Sequence, residues 1–359
     1  MKSGAAVLAL LLCGSPLLGD QTGAAFLKIT PSVRSQSLAG NQALLVGPEA
    51  LGANPAGLAL QSAPWGGYAA FSAMESDLAH GQLAAVRRFS QSRRALGISL
   101  TTLKADGGSA TDATGAPASQ STGSQDFALS MGLGGPIAPQ WFWGAAGRAI
   151  QSTVGNASSK IAWAGDAGLL WRSPAVSAGV SLNNFGTPIR YGHQADPLPS
   201  SFRIDGAWKV GDVTFIAQRH ASLKEKRTLW GAGLEYGIGP LTLRGAATAV
   251  KSGAPSSLAG TDFLERMTFG LGFRAGPTQW DYAFSELEGD QGTWHRLALS
   301  WRWGEPKGKT GALPTRVEGD RFGEPLPKKI PRVRTKKSPA QTPPSPTSKT
   351  PLPRPTLGK

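Results

Sequence analysis

The chain has 359 residues, 37 Lys and Arg against 23 Asp and Glu, a formal net charge of +14 and one cysteine. Residues 304–359 carry 13 Lys and Arg and 4 Asp and Glu, so a terminal stretch of +9 supplies most of that charge. The high pI therefore does not indicate a nucleic-acid-binding surface on the folded part. No apolar stretch of about 18 residues occurs after residue 20, which excludes transmembrane helices.

Residues 1–20 are typical of a signal peptide. Lys2 precedes the apolar run 5–12, and small residues follow at Gly14 and Gly19. Acylation at Cys13 is a weaker alternative, because the bulky Leu12 stands where lipoproteins carry a small residue. An uncleaved anchor is weaker still, since the run is too short to span a bilayer. We expect a mature protein without cysteine.

Residues 21–64 alternate poorly and predict an N-terminal plug or collar, with a short helix near Pro48. The motif Asn54, Pro55, Ala56, Gly57 lies inside it. Pro55 removes a backbone donor and favours extended geometry at Asn54, so a strand is not expected there.

From residue 65 to residue 303 the chain repeats segments of period two, and the last arm shows the pattern best. Leu297, Trp301 and Trp303 fall on one face, and Arg296 and Arg302 on the other. This indicates an all-β protein, an antiparallel transmembrane β-barrel of about 14 strands, because about ten residues of a tilted strand cross a bilayer. The predicted strands are 66–74, 77–89, 95–106, 125–136, 141–154, 159–172, 175–185, 200–210, 212–222, 227–238, 241–251, 264–275, 278–287 and 293–303.

Connection lengths predict an orientation. Turn dipeptides such as Gly211-Asp212, Gly239-Pro240 and Gly276-Pro277 follow even-numbered strands, whereas the long connections 107–124, 186–199 and 252–263 follow odd-numbered ones. Outer-membrane barrels have short periplasmic turns and long outer loops. We therefore expect an outer-membrane protein with both termini in the periplasm.

Tryptophans cluster at the ends of the predicted strands, as interface girdles require. Trp163, Trp230 and Trp294 lie near the predicted outer ends. A soluble sandwich would instead place tryptophan in mid-strand core positions. The periplasmic girdle is predicted to contain Trp141, Trp143, Trp171, Trp208, Trp280, Trp301 and Trp303.

Alternation assigns the charged residues to the lumen. Asp281 and Arg296 lie on adjacent strands and are candidates for a cross-strand pair. The candidate lumen-facing residues are Arg203, Arg244, Arg274, Asp281 and Arg296.

No pattern of catalytic chemistry is present. The four histidines are scattered without a metal-ligand spacing, and no G-x-S-x-G elbow occurs. The glycine pairs Gly231/Gly233 and Gly270/Gly272 predict either a strand bend or a close approach of the plug. We expect no enzyme activity, no metal and no cofactor.

The Pro- and Lys-rich residues 304–359 predict a disordered periplasmic tail. As polyproline II, at about 3.1 Å per residue, such a tail could extend on the order of 170 Å. Its charge favours contact with an anionic cell-wall polymer, and an extension without function is the alternative.

Several segments resemble the PorV/PorQ-type outer-membrane proteins, relatives of the FadL hydrophobic-compound channels. The matching segments are GAAFLKITPSVRSQSLAG at 23–40, NPAGLA at 54–59, SLNNFG at 181–186, LPSSFRIDGAW at 198–208, LEYG at 234–237, DYAF at 281–284 and HRLALS at 295–300. The resemblance implies a fourteen-stranded barrel with an N-terminal plug and a part in type IX secretion. The chain departs from the pattern in its basic tail and at residues 42–45.

Two non-enzymatic functions therefore remain. In the first, the barrel docks or shuttles secreted cargo proteins or secretion-machinery subunits. In the second, it is a FadL-like passive channel for apolar or amphipathic small molecules, in which Arg203, Arg244, Arg274 and Arg296 favour an acidic headgroup. Outer-membrane lipid is the expected surrounding in both.

Overall fold

The computed structural model describes residues 22–74, 78–105, 123–225, 227–252, 267–286 and 293–304. Short 3-10 helices span Ala25–Lys28, Gly47–Ala50 and Pro55–Leu60, and one α-helical turn spans Val33–Gln36. The strands are β1 Trp65–Met74, β2 Leu78–Arg88, β3 Ala95–Ala105, β4 Ser124–Ala138, β5 Trp141–Val154, β6 Ala157–Ser158, β7 Ala162–Arg172, β8 Val176–Gly186, β9 Ile189–Tyr191, β10 Gln194–Asp196, β11 Ser201–Val210, β12 Val213–Ser222, β13 Arg227–Ile238, β14 Leu241–Ser252, β15 Met267–Ala275, β16 Thr278–Glu286 and β17 Thr293–Trp303.

Fourteen of these strands form one closed antiparallel barrel, as the sequence predicted. Each strand pairs with its barrel neighbours, and β4 also pairs with β5, so the sheet has no free edge there. The first and last strands close the ring along their whole length, from Trp65 opposite Trp303 to Met74 opposite Trp294. Closure satisfies the backbone donors and acceptors that an open sheet would leave exposed.

The two ends of the barrel differ in their connections. At one end, called here the turn end, β11 and β12, β13 and β14, and β15 and β16 are joined by two-residue turns. The first residue of each is a glycine with positive φ: 61° at Gly211, 59° at Gly239 and 55° at Gly276. Hairpin turns of this length favour glycine at such positions. The opposite end, called here the loop end, includes the connection between β8 and β11.

Burial alternates along the strands and separates two faces. Large apolar residues on the outward face are exposed, for example Leu297 at 60%, Leu83 at 58% and Met131 at 58%. Inward positions hold small or polar residues that are buried, such as Ser72, Asp205 and Arg296. This inversion of the usual inside and outside is the pattern of a barrel surrounded by lipid. Among the described residues, no helix is both long and apolar enough to cross a membrane.

All seven tryptophans of the predicted girdle lie on outward strand positions near the turn end. At the seam between β1 and β17, Trp65 stacks on Trp303 with ring centroids 6.0 Å apart. Trp303 also stacks on Trp301 at 6.2 Å. The Arg87 guanidinium lies 5.0 Å from the centre of the Trp65 ring. Stacked indoles beside a cation suit a boundary between apolar and polar surroundings.

Three expectations need correction. The predicted strand 159–172 begins at Ala162, because Ala157 and Ser158 form β6, which pairs back onto β5. The connection predicted at 186–199 contains a small sheet of β9 and β10. Trp294 lies near the loop end, as predicted, but it does not belong to an outward girdle, since it shares the inward parity of Arg296, whose guanidinium lies 5.0 Å from the Trp294 ring centre. The predicted signal peptide and all of the predicted tail except Gly304 lie outside the described residues, as do most of the loops predicted at 107–124 and 252–263.

The outward face gives a first test. We expect Leu297→Arg, near the middle of β17, to destabilise the barrel in lipid vesicles by about 2–4 kcal/mol, because a cation at mid-bilayer depth loses its hydration. Urea-dependent folding, followed by heat-modifiable migration on a gel, measures the change.

Val210→Arg is the matched control. Val210 is also outward and is 49% exposed, but it ends its strand at the turn end. The cost there should fall to about 0–1 kcal/mol. Equal effects at the two positions would contradict a lipid-covered outward face.

Candidate functional site: the N-terminal segment within the barrel

Residues 22–64, called here the N-terminal segment, contact the inward face of the barrel in several sectors. The 3-10 helix Pro55–Leu60 contacts β3, β4, β5 and β7, whereas Gly47–Ala50 contacts β1, β2 and β3. The turn Val33–Gln36 contacts β15, β16 and β17 on another side. The segment therefore lies inside the ring of strands.

Inward-facing glycines allow the segment to approach the wall closely. A Cβ added at Gly144 would lie 2.1 Å from the carbonyl carbon of Pro55, and one at Gly168 would lie 2.0 Å from Asn54 Oδ1. On another sector, a Cβ at Gly270 would lie 2.4 Å from the Ser37 Cβ. Of the two explanations that the sequence left for its paired glycines, the close approach of the segment therefore holds at Gly270.

Two asparagines attach the segment to the backbone of the wall in the same way. Asn54 Nδ2 donates to the carbonyls of Leu169 at 3.3 Å and Val180 at 3.2 Å, two residues that are register partners. Its Oδ1 accepts a hydrogen bond from Ala56 N at 3.1 Å. The predicted motif at 54–57 thus has a defined structural role, because Asn54 binds the wall and Pro55 begins the helix that follows.

Asn41, which sequence reasoning missed, repeats this arrangement. Its Nδ2 donates to the carbonyls of Gly206 and Ala217, each at 3.1 Å, and these two are also register partners. Its Oδ1 accepts from Ala43 N at 3.1 Å. The shared spacing of Asn and Ala in the two motifs, Asn41-Gln42-Ala43 and Asn54-Pro55-Ala56, is the signal that could have found it.

Arg296 is fully buried and binds the segment through its guanidinium. Nη1 donates to the Thr30 carbonyl at 2.7 Å and to Gln36 Oε1 at 2.6 Å, and Nε donates to Ser72 Oγ at 2.6 Å. The cross-strand pair predicted between Asp281 and Arg296 is therefore wrong. Their register explains it, because Arg296 lies opposite Ala283 while Asp281 lies opposite Ala298.

Asp281 belongs instead to a chain of ion pairs near the turn end. Arg34 of the segment binds Glu235 through two hydrogen bonds of 3.0 and 2.8 Å. Glu235 also accepts from Arg244 at 2.8 Å, and Arg244 donates to Asp281 at 2.6 Å. Arg274 lies beside this network in a polar pocket and donates to Gln279 at 2.8 Å. The network joins the segment to β13, β14 and β16.

Arg203 and Arg148 are two further inward arginines. Arg203 donates to the Gly40 carbonyl at 3.3 Å, and Arg148, which sequence reasoning missed, pairs with Asp166 at 2.8 Å and donates to Asn184 at 2.6 Å. Each inward arginine named here thus has a partner within the protein. The expectation that Arg203, Arg244, Arg274 and Arg296 favour an acidic headgroup is not supported by this arrangement, since each donates hydrogen bonds within the protein.

Glu49 is a buried carboxylate of the N-terminal segment that accepts hydrogen bonds from two serines. Glu49 accepts from Ser32 Oγ at 2.6 Å and from Ser300 Oγ at 3.3 Å. Burial raises the pKa of Glu49 above its ordinary value, and the charge of Asp281 acts in the same direction. Among the described residues, no group of three His, Cys, Asp or Glu could hold a metal ion.

At the loop end, Glu225 binds the start of the segment. Thr22 Oγ1 donates to Glu225 at 2.6 Å, and the Lys28 ammonium contacts the same carboxylate. Burial alone would raise the pKa of Glu225, but these hydrogen bonds and the Lys28 charge lower it below its ordinary value. The contact is partly exposed, so we assign it a minor share of the attachment.

Comparisons with known proteins support the fold. No family model matches the chain, and no curated protein matches it in sequence. Among solved structures, the toluene transporter TodX of Pseudomonas putida is similar with a TM-score of 0.57 at 13% identity, over 80% of this chain and 99% of that one. A TodX deltaS2S3 mutant, described as a monoaromatic hydrocarbon channel, gives 0.56 at 13% identity over 75% and 98%. At such identity the likeness shows a common barrel fold. None of these comparisons supports the PorV/PorQ resemblance.

The Arg34–Glu235 contact predicts a coupling energy. A double-mutant cycle of Arg34→Gln and Glu235→Gln should give a coupling of about 1–3 kcal/mol, because both side chains are mostly buried and bind bidentately. Hydrogen exchange of the amides of residues 33–36 measures the free energy of opening of this turn. Arg87→Gln, on the outward face, should leave their exchange unchanged, and additive single effects would contradict the pair.

The glycine contacts predict a steric effect. Gly168→Ala should speed hydrogen exchange in residues 54–60, because the new methyl group cannot share space with Asn54 Oδ1. Gly206→Ala is the control, since its nearest neighbour is the Ala217 carbonyl oxygen at 3.9 Å. Unchanged exchange in Gly168→Ala would show that the segment is not seated against β7.

Proposed function

We propose that the protein is an outer-membrane channel for apolar or amphipathic small molecules. The observation that carries the proposal is a fourteen-stranded barrel, of the fold that TodX has, with its own N-terminal segment bound inside. TodX is described as a toluene transporter and a monoaromatic hydrocarbon channel. We also propose that the turn end and both termini face the periplasm.

The interior supports this class of solute. Near the loop end, Phe26 of the segment packs with Ile150, Ile189 and Leu198 in a buried apolar cluster. Between this cluster and the turn end, the N-terminal segment is hydrogen-bonded to the barrel strands in several sectors, so we propose that it acts as a plug. The cluster is buried in this structure, so a solute would have to displace part of it; an apolar solute would regain free energy by contact with its residues, whereas a hydrated solute would not.

The secretion role has less support. It rested on the PorV/PorQ resemblance, and no contact among the described residues favours a protein cargo over a small molecule. The channel alternative therefore becomes the main proposal.

Uptake by whole cells tests the proposal. In a host whose outer leaflet is lipopolysaccharide, expression of the protein should raise the initial uptake of radiolabelled toluene above that of the empty host and leave sucrose uptake unchanged. The variant Arg34→Gln/Glu235→Gln should raise toluene uptake further, because its plug opens more easily.

Arg87→Gln, expressed to the same level, is the control for the plug variant and should behave as the wild type. Equal toluene uptake with and without the assembled barrel would contradict the channel. Sucrose uptake by the wild type would indicate an open aqueous pore instead.

A further inference from the structure

Two inward side chains of β2 are buried without a hydrogen bond to any residue that the structure describes. His80 is 1% exposed and Gln82 is 2% exposed. Within the described part of the chain, neither ring nitrogen of His80 and neither amide atom of Gln82 has a partner. Buried polar groups are normally satisfied, so four unsatisfied atoms on adjacent inward positions require an explanation.

The two side chains lie just inside the loop end. His80 is the third residue of β2, and a strand rises about 3.3 Å per residue, so it lies within about 10 Å of that end. Across β1, Ser72 is the register partner of both His80 and Arg296, which sets the three at one level. Trp294, two residues before Arg296, has an indole N–H that also lacks a partner among the described residues.

The surroundings define the chemistry that these atoms suit. The Arg296 cation beside them is satisfied by Thr30, Gln36 and Ser72. The apolar flank is Leu103, the register partner of His80, which packs against the cluster that contains Phe26. An apolar wall thus adjoins unpaired donors and acceptors.

The donors and acceptors of these side chains indicate which class of ligand they suit. The Gln82 amide both donates and accepts, imidazole offers ring nitrogens, and indole only donates. A hydroxyl group donates and accepts, so it matches this mixed set. A hydrocarbon would leave every atom unpaired, and a carboxylate can only accept and would also lose its hydration.

We propose that His80 and Gln82, with Trp294, form a subsite for the hydroxyl group of an uncharged amphipathic solute whose apolar part lies towards Leu103. This rests on the proposed channel function and names the solute class that it would favour. Both side chains are buried in this structure, so a solute reaches them only by displacing the residues that cover them. The unpaired atoms favour that displacement, since the bound hydroxyl supplies the missing hydrogen bonds.

Three ring compounds of similar size test the subsite: benzyl alcohol, toluene and benzoate. Binding to the purified full-length protein in detergent is measured by equilibrium dialysis of the radiolabelled compounds. We expect the wild type to bind benzyl alcohol about tenfold more tightly than the other two, the ratio that ~1.4 kcal/mol produces. His80→Leu and Gln82→Leu should each reduce that preference and leave toluene binding unchanged.

Ser177→Ala is the matched control. Ser177 is fully buried and its hydroxyl is also without a partner among the described residues, but it lies at the turn end. Its loss should not alter the preference. Heat-modifiable migration should show that neither leucine variant is less stable than the wild type, because apolar groups replace unpaired polar ones.

The outcomes separate the two proposals. No preference for benzyl alcohol, or a preference that survives both leucine variants, would overturn the subsite, even if cells still take up toluene. A leucine variant that unfolds would show that the polar atoms support the fold and would also count against the subsite. Failure of the barrel to raise cellular uptake of all three compounds, with the binding preference intact, would instead overturn the channel.

Discussion

The constraint on which the structure depends is that the inward face of the closed barrel carries charges that must find partners. Arg296 is fully buried, and its guanidinium donates hydrogen bonds to the carbonyl of Thr30 and the side-chain amide oxygen of Gln36. Arg244 forms ion pairs with two carboxylates, those of Glu235 and Asp281. A buried cation left unpaired would be strongly destabilising. The N-terminal segment is therefore part of the interior of the barrel and cannot be treated as an added domain.

The attachment of the segment combines two kinds of contact with different consequences. Asn41 and Asn54 bind backbone carbonyls of paired strands, so these contacts depend on register and on little side-chain chemistry. Arg34 and Arg296 bind through charge-assisted hydrogen bonds, which are stronger and depend on single side chains. A rearrangement that freed the Arg34 turn would leave the helix at 55–60 seated on its glycines. Partial opening of the segment is thus easier than its complete release.

The alternation of apolar and polar residues predicts most of the fold, because a period of two along fourteen segments determines which side chains face inward. It placed Arg203, Arg244, Asp281 and Arg296 on the inward face, where they are. It could not assign their partners, because partners depend on register and on a segment without periodicity, which is why Asp281 and Arg296 were wrongly paired. Trp294 was misassigned because strand-end position was weighed above parity. Arg148 was missed because it is a single polar residue in a run of small and apolar residues, and Asn41 was missed because the N-terminal segment has no periodic pattern.

Two groups of inward side chains, one towards each end of the barrel, differ in how fully they are hydrogen-bonded. Towards the turn end, Arg34, Glu235, Arg244 and Asp281 satisfy one another in a continuous network. Near the loop end, His80, Gln82 and the Trp294 indole have no hydrogen-bond partner among the described residues and lie beside an apolar cluster. In the proposed channel, binding beside His80 and Gln82 would supply missing hydrogen bonds, whereas opening the Arg34 turn requires breaking its ion pair with Glu235. If the proposed channel admits a solute at the loop end, the solute meets the unpaired side chains there before it meets the Arg34–Glu235 ion pair.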